Sequence, residues 1–354
     1  MPFGPHDDPF PFCVRTDTSV SQRISSSPHS VEYPIVRLFL VDVSLELKEY
    51  KQFWKKKELT VTSPYGLHIG HYKAVLDEDD ILECHLALMM IPFRFAFAPT
   101  RWTSTVQIML GKSPGSPWSH RLRIIELFDI QLNAAMKIFF EKWMIHNALD
   151  RDEIHPSVFG SVPGRSAQDA LLEKEISFDI MRLTRTEGAI FDCDAKGCFD
   201  RMIAKLAYVH TTRLGMPHRW SIFFSIFWQA CSHFVRTRYR ISTNSFKADR
   251  NDILHGIGQG NGAGPALLLA HLTVMFTVLT RLTTGYKFES PDGETVFESP
   301  GTGFVDDVTL GATANPSDNG TDRVTTNLVK NVNTIAATWE KMLFTNGGKL
   351  ELSK

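Results

Sequence analysis

The chain has almost no net charge. Its 38 Lys and Arg stand against 39 Asp and Glu in 354 residues, a formal −1. A uniformly basic nucleic-acid-binding protein is therefore excluded, and any channel for a polyanion has to be a local patch offset elsewhere. Cysteine is scarce as well. Cys13, Cys84, Cys193, Cys198 and Cys231 form an odd, scattered set with no CxxC pair. That spacing argues against a structural zinc site and fits a reducing compartment. The opening MPFGPHDDPFPF has neither a basic start nor an apolar stretch behind it, so the expected location is intracellular, nucleus or cytoplasm, and not secreted. Long clean apolar runs are missing too. The longest apolar helix candidate, Ala263 to Leu279, is interrupted by His271 and Thr273 and reads as a core helix, with no membrane partner expected. Neither an internal repeat nor a low-complexity tract is present, which excludes solenoids and repeat arrays.

What is present is an ordinary globular mixture, 43% apolar and 22% charged, with ample material for a core. Residues 1–30 are rich in Pro, Ser and Asp without periodicity, and 1–43 are expected to be a flexible extension. Residues 44–58 predict a short amphipathic helix with a basic end. Helical periodicity covers 79–98 and 120–148. Between them Trp102 to Leu110 alternates, and the Pro/Gly turn 111–119 predicts a β-hairpin with Arg121 to Leu127 as its return arm. Gln168 to Leu183 predicts a helix capped by Ser166 with Asp169 three residues on. Gly188 to Asp194 reads as a buried strand, followed by helices near 201–214 and 217–232. His233 to Ile241 alternates, which would place Arg236, Arg238 and Arg240 on one strand face. A helix over Ala263 to Leu282 follows, then hairpins around Pro291-Asp292-Gly293 and around Asp306-Asp307. A helix from Val324 to Phe344 closes the pattern at Gly347-Gly348.

Three stretches carry the chemistry. Residues 191–202 read FDCDAKGCFDRM, residues 256–265 read GIGQGNGAGP and residues 303–309 read GFVDDVT. Asp194 ends an apolar run, so a strand delivers its carboxylate with little freedom. Asp306 and Asp307 sit in a tight turn, where alternation points them opposite ways and turns Asp306 toward Asp194. Acids gathered from distant segments are costly unless a cation neutralises them, and carboxylates holding two metal ions suit in-line attack at phosphorus. An Asp-Asp pair taken alone is also a common turn, and the glycine-rich stretch lacks the Lys-Ser/Thr of a P-loop and the Rossmann spacing. Arg236, Arg238, Arg240, Lys247 and Arg250, with Tyr239 and Phe246 between them, make a candidate nucleic-acid strip.

Taken in order, the three stretches resemble motifs A, B and C of reverse transcriptases, in particular those of non-LTR, LINE-like retroelements. Ser63-Pro64-Tyr65-Gly66-Leu67-His68-Ile69-Gly70-His71-Tyr72-Lys73 is similar to an N-terminal block of that group. Lys112 and Arg121-Leu122-Arg123-Ile124-Ile125 resemble its fingers hairpin, with Ile124 in place of the usual Pro. Phe159-Gly160-Ser161-Val162-Pro163-Gly164-Arg165-Ser166 resembles the block before motif A, and residues 347–354 resemble motif D, whose lysine is either Lys349 or Lys354. Gly264-Pro265 stands where the family often has Ser-Pro.

The resemblance implies an α+β fold: a right-hand polymerase palm, an antiparallel sheet backed by helices, with fingers, and with the thumb largely missing. The implied division is 44–187 for the N-terminal block and fingers and 188–354 for the palm, with a fingers-like or edge hairpin near 233–250. The implied activity is RNA-directed DNA polymerisation on an RNA template with a DNA primer and dNTPs, using two Mg²⁺ ions, or Mn²⁺ in their place. Asp194, Asp306 and Asp307 would be the catalytic metal ligands. Phe199 would be a gate under the deoxyribose, Gln259 and Gly260 substrate contacts, and Arg123 and Lys112 triphosphate contacts. Arg165 would touch template phosphate or hold fingers to palm. Asp200 is expected to cap the helix that follows it. Two alternatives are a decayed relic that only binds nucleic acid and an RNA-dependent RNA polymerase; the aromatic Phe199 speaks against the latter.

Overall fold

The computed structural model describes residues 46–55, 65–95, 97–112, 122–249, 255–314 and 321–351. The chain divides into two units, 1–38 and 39–354. The expected extension 1–43, the Ser63-Pro64 pair, Arg121, Arg250 and Lys354 lie outside the described residues. The fold is mixed α+β, with three small sheets among eleven α-helices in the described residues.

The N-terminal block consists of α1 (Leu47–Trp54), α2 (Ile69–Lys73) and α3 (Asp79–Phe95). These elements are held by aromatic packing, which contributes through both area and ring geometry. Trp54 stacks on Tyr72 with centroids 4.1 Å apart, and Tyr50 meets Trp54 edge-on at 5.7 Å. The predicted hairpin follows as β1 (Ser104–Gly111) and β2 (Leu122–Leu127). The helical periodicity read from residue 120 therefore begins too early. Asp129 marks the start, its side chain accepting from the Gln131 and Leu132 amides at 2.9 and 3.3 Å. The rod that follows changes register within itself: α4 (Ile130–Met136), a π-helical stretch (Lys137–Met144) and α5 (Ile145–Asp150).

The helix α6 (Ala167–Thr184) starts on the expected capping box of Ser166 and Asp169. Next come β3 (Gly188–Asp194), α7 (Cys198–Arg201), α8 (Ala204–Arg213), α9 (His218–Ala230) and β4 (Ser232–Arg236). Asp200 lies inside α7 and does not cap α8, whose N-cap is Ile203. The chain continues through α10 (Gly264–Leu282), β5 (Tyr286–Glu289), β6 (Val296–Ser299), β7 (Gly301–Phe304), β8 (Asp307–Thr313) and α11 (Thr321–Thr345). Pro265 stands in the first turn of α10, where its missing N–H costs nothing.

One sheet has the order β3-β8-β7 and is antiparallel throughout. Its inner face rests on α10 and α11. Phe276 and Leu272 of α10 press against Gly303, and Trp339 of α11 packs on Phe276 at 5.5 Å. Strand β3 was expected to be buried. It is half-buried instead, with Cys193 inside and Asp192 outside, because only one face of this sheet is covered. A second sheet has the order β2-β1-β4, with β1–β2 antiparallel and β1–β4 parallel. The hairpin expected near 233–250 thus shares a sheet with β1 and β2. β5 and β6 form a separate hairpin. Among the described residues, α10 alone is long and apolar enough to cross a membrane, and most of its window is buried inside this fold.

Candidate active site

The β7–β8 hairpin turns on two residues, Val305 and Asp306, and Phe304 pairs with Asp307. Val305 has φ +57°. A β-branched residue in the left-handed region is strained, so the surroundings must hold it there. The segment from His155 to Arg165 does so. The Phe159 amide donates to the Gly303 carbonyl at 2.8 Å, and the Gly303 amide donates to the Ser157 carbonyl at 2.8 Å. Gly160 lies so close that a Cβ there would sit 2.3 Å from the Val305 nitrogen.

Arg165 locks this brace. Its Nη1 donates to the carbonyls of Pro156 and Val158 at 3.0 and 2.6 Å. These bonds stay within the 155–165 segment, which in turn is bonded to β7 through Ser157 and Phe159. Arg165→Met is therefore expected to lower stability by about 1–2 kcal/mol, the scale of charge-assisted bonds in a half-exposed setting. Denaturant unfolding checks this. Unchanged stability together with weaker binding of nucleic acid would return Arg165 to the template-contact role.

The register across β3 and β8 sets Asp194 opposite Asp307. The expected partner, Asp306, sits in the turn itself because β8 begins only at Asp307. Paired residues of an antiparallel ladder point to the same face. Cys193 and its partner Val308 face the core, so Asp192, Asp194, Asp307 and Thr309 share the open face. Asp192 is counter-charged there: Lys174 donates to it at 2.8 Å and the Thr309 hydroxyl at 2.6 Å. The Lys174 bond, foremost, holds the Asp192 carboxyl below the usual carboxylate range.

Phe199 begins behind a left-handed Gly197, φ +56°. Its carbonyl accepts from the Ile257 amide at 2.9 Å, which ties α7 to the glycine-rich stretch. The Phe199 ring approaches Gly264 at the start of α10. Farther along the same stretch, the Glu126 amide donates to the Gln259 carbonyl at 2.6 Å. Gly260 has φ +105°, and a Cβ there would meet the Glu126 carbonyl at 2.5 Å. Only glycine fits both conditions. Asn133 of α4 clasps the loop from the other side. Its Nδ2 donates to the Gly260 carbonyl at 3.2 Å, and its Oδ1 accepts from the Gly262 amide at 2.5 Å.

These constraints bring five expected residues to one open cleft: Arg123, Phe199, Gln259, Gly260 and Asp306. Five unexpected residues share its wall, namely Phe53, Ile69, Asn133, Lys137 and Glu141. The last three had a legible signal. They recur every four residues as polar positions in a helix whose Ala134, Ala135, Met136, Ile138, Phe139 and Phe140 are buried.

Lys112 is not among the residues lining this cleft. It acts instead on Asp200, whose carboxyl is pushed up by burial against the opposing pull of Lys112 and Arg201. Arg236 ends β4, whereas Arg238 and Arg240 belong to a turn closed by the Thr237 amide on the Arg240 carbonyl at 3.0 Å. The expected strand face is thus a hairpin tip, where Tyr239 is 90% exposed. Chain direction reverses there, so alternation ends at Arg236.

A buried polar cluster stands behind Gln259. Glu126 accepts from Thr105 and from Gln107 Nε2 at 2.9 Å, and His233 Nδ1 lies 2.6 Å from its Oε1. The cluster joins β1, β2 and β4. Burial pushes the Cys193 and Cys198 thiols up to about 12, so neither is a nucleophile at neutral pH. Among the described residues, no group of three His, Cys, Asp or Glu is arranged to hold a metal ion by itself.

The chain matches no protein-family model and none of the curated proteins compared with it. Among solved structures it is similar to an apo telomerase from Candida tropicalis truncated from its C-terminal domain. The identity is 13% and the TM-score 0.41, over 74% of this chain and 52% of that one. The chain therefore spans about half the length of that structure.

Proposed function

We propose that the chain is the reverse-transcriptase domain of a non-LTR retroelement, an RNA-directed DNA polymerase that adds dNTPs to a primer 3′-end. One observation carries the reading. Arg123, Phe199, Gln259, Gly260 and Asp306 come from four distant segments and line a single cleft, whereas Asp194 and Asp307 are not among its lining residues. In this reading residues 188–354 form the palm and 44–187 the N-terminal block and fingers.

Arg123 binds triphosphate oxygens through a fork of donors. Gln259 and the backbone of Gly260 contact the incoming nucleotide. The Phe199 ring fills the space a 2′-hydroxyl would take. Asp194 and Asp307, paired across β3 and β8, and Asp306 in the adjoining turn are carboxylates of the kind that suits Mg²⁺, but they are not gathered into a ligand group here, so holding the ion would require them to converge. When bound, that metal would activate the primer hydroxyl and neutralise charge on the phosphates. The hairpin-tip arginines, Arg236, Arg238 and Arg240, would contact the nucleic-acid backbone, with Tyr239 offering a base-stacking surface.

Primer extension on an RNA template, with dNTPs against rNTPs, is the test. DNA synthesis from dNTPs alone is the expected result. Extension with rNTPs would favour an RNA polymerase, and template binding without extension would favour a decayed copy. Phe199→Ala adds a finer expectation. Removing the ring relieves a clash, so rNTP incorporation rises while dNTP incorporation falls modestly. An unchanged rNTP/dNTP preference would make Phe199 a packing residue only.

A further inference from the structure

Of the two cations expected to grip a triphosphate, Arg123 lines the cleft and Lys112 is not among its lining residues. A different cation lines the wall. Lys137 stands one turn beyond Asn133, and Glu141 stands four residues beyond Lys137. Lys137 Nζ lies 3.1 Å from Glu141 Oε2, with the two side chains 36% and 37% exposed. An exposed pair of this spacing is a weak contact, easily exchanged for a stronger anion. Lys137 is also where the helix changes from α to π register. Such segments are uncommon and concentrate at functional positions, because the extra residue per turn re-aims side chains. The same helix face fixes the Gly260–Gly262 loop through Asn133, and the Lys137 backbone lies against that loop, where a Cβ on Gly262 would sit 3.1 Å from the Lys137 nitrogen.

We infer that Lys137 is a second phosphate-binding residue of this cleft, gripping the triphosphate of an incoming nucleotide opposite Arg123, with Glu141 as the internal anion that occupies it when no nucleotide is present. The inference rests on the proposed function for the identity of the ligand, though not for the chemistry of the subsite.

Two substitutions carry opposite signs. Lys137→Ala is expected to raise the Kd for a dNTP about tenfold, the scale of one lost charge-assisted bond. Glu141→Gln removes the competitor and is expected to lower that Kd roughly threefold, the exchange of a weak exposed pair. Lys137→Arg should keep most of the affinity. Binding is measured on the full chain by equilibrium titration with a dNTP, with inorganic tripolyphosphate and with an RNA–DNA primer duplex. The same opposed shifts for dNTP and tripolyphosphate, with duplex affinity unchanged, support the inference. They do so even if the chain extends no primer, in which case only the polymerase reading fails. Equal dNTP affinity in Lys137→Ala, weaker binding in Glu141→Gln, or an effect confined to the duplex would each overturn it.

Discussion

Primer extension is expected to fall roughly a thousandfold in Asp194→Asn and in Asp306→Asn, with the fold intact. Charge stabilisation by ligated metal is worth several kcal/mol in the transition state, and each 1.36 kcal/mol is about tenfold in rate. An amide keeps the shape of the carboxylate and removes its charge. Asp306 is exposed and Asp194 only partly covered, so neither supports the core. Asp192 supplies the control. It lies on the same open face as Asp194, two residues away, but is already bound by Lys174 and Thr309. Asp192→Asn should therefore leave extension within a few-fold of the parent while loosening the Lys174 contact, an exposed pair worth about 1 kcal/mol or less. Single-turnover extension by the three variants decides the matter. Comparable losses in all three would mean that general charge on this face, not a specific ligand set, supports the activity.

Acid is expected to destabilise the protein between pH 6.5 and 4, chiefly through His271. This ring is buried on α10, its Nδ1 3.1 Å from His210 Nδ1 of α8. Burial foremost, then the neighbouring His210, lowers its pKa from 6.5 to about 3. Burial likewise lowers His155 and His85 to about 4, with Arg165 and Arg101 as the second causes. A base whose folded pKa is depressed stays neutral in the folded state while the unfolded chain takes up a proton. Stability is thus complete above about pH 6.5 and is lost as the pH falls toward the folded pKa. For the fully enclosed His271 the loss approaches about 3 kcal/mol by pH 4, at 1.36 kcal/mol per unit. The carboxyls of the buried Asp129, the part-covered Glu173 and Asp200 are shifted upward, mainly by desolvation, and work in the opposite direction. For that reason the test compares one substitution with the parent. Urea unfolding of His271→Leu at pH 7, 5.5 and 4.5 should show a flatter dependence on pH. An equally steep dependence in the variant would clear His271.

Much of this architecture was legible because the relevant signals are local. The Ser166–Asp169 capping box, Pro265 at the first turn of α10 and the Pro291-Asp292-Gly293 turn each act within a few residues, and each appears where the pattern predicts. Long-range pairing was harder to read. Nothing in His233 to Ile241 says that β4 pairs parallel with β1, or that its alternation ends at a turn after Arg236. The candidate site divides along the same line. Phe199, Gln259, Gly260 and Asp306 stand in compact motifs, and the cleft unites them. The partner of Asp194 depended on which turn residue begins β8, a one-residue question that alternation cannot answer. Phe53 and Ile69 reach the cleft only through tertiary packing of the N-terminal block. The purpose of Gly160 became visible only from its distance to Val305.

The parallel pairing of β1 with β4, with Thr105 opposite His233, also governs when the molecule can acquire its shape. Synthesis delivers β1 and β2 early, but the strand that completes their sheet follows only after β3 and the helices α4 to α9. Until then β1 keeps an open edge, and Glu126 lacks the imidazole that His233 brings to it. Closing so large a loop is entropically slow, and pairings this remote in sequence set the pace of folding. The nascent hairpin is accordingly the segment most open to pairing with the wrong strand while the rest of the chain is still being made. The wall of the cleft is completed later still, because Gly258 to Pro265 and Asp306 all follow β4 in the chain.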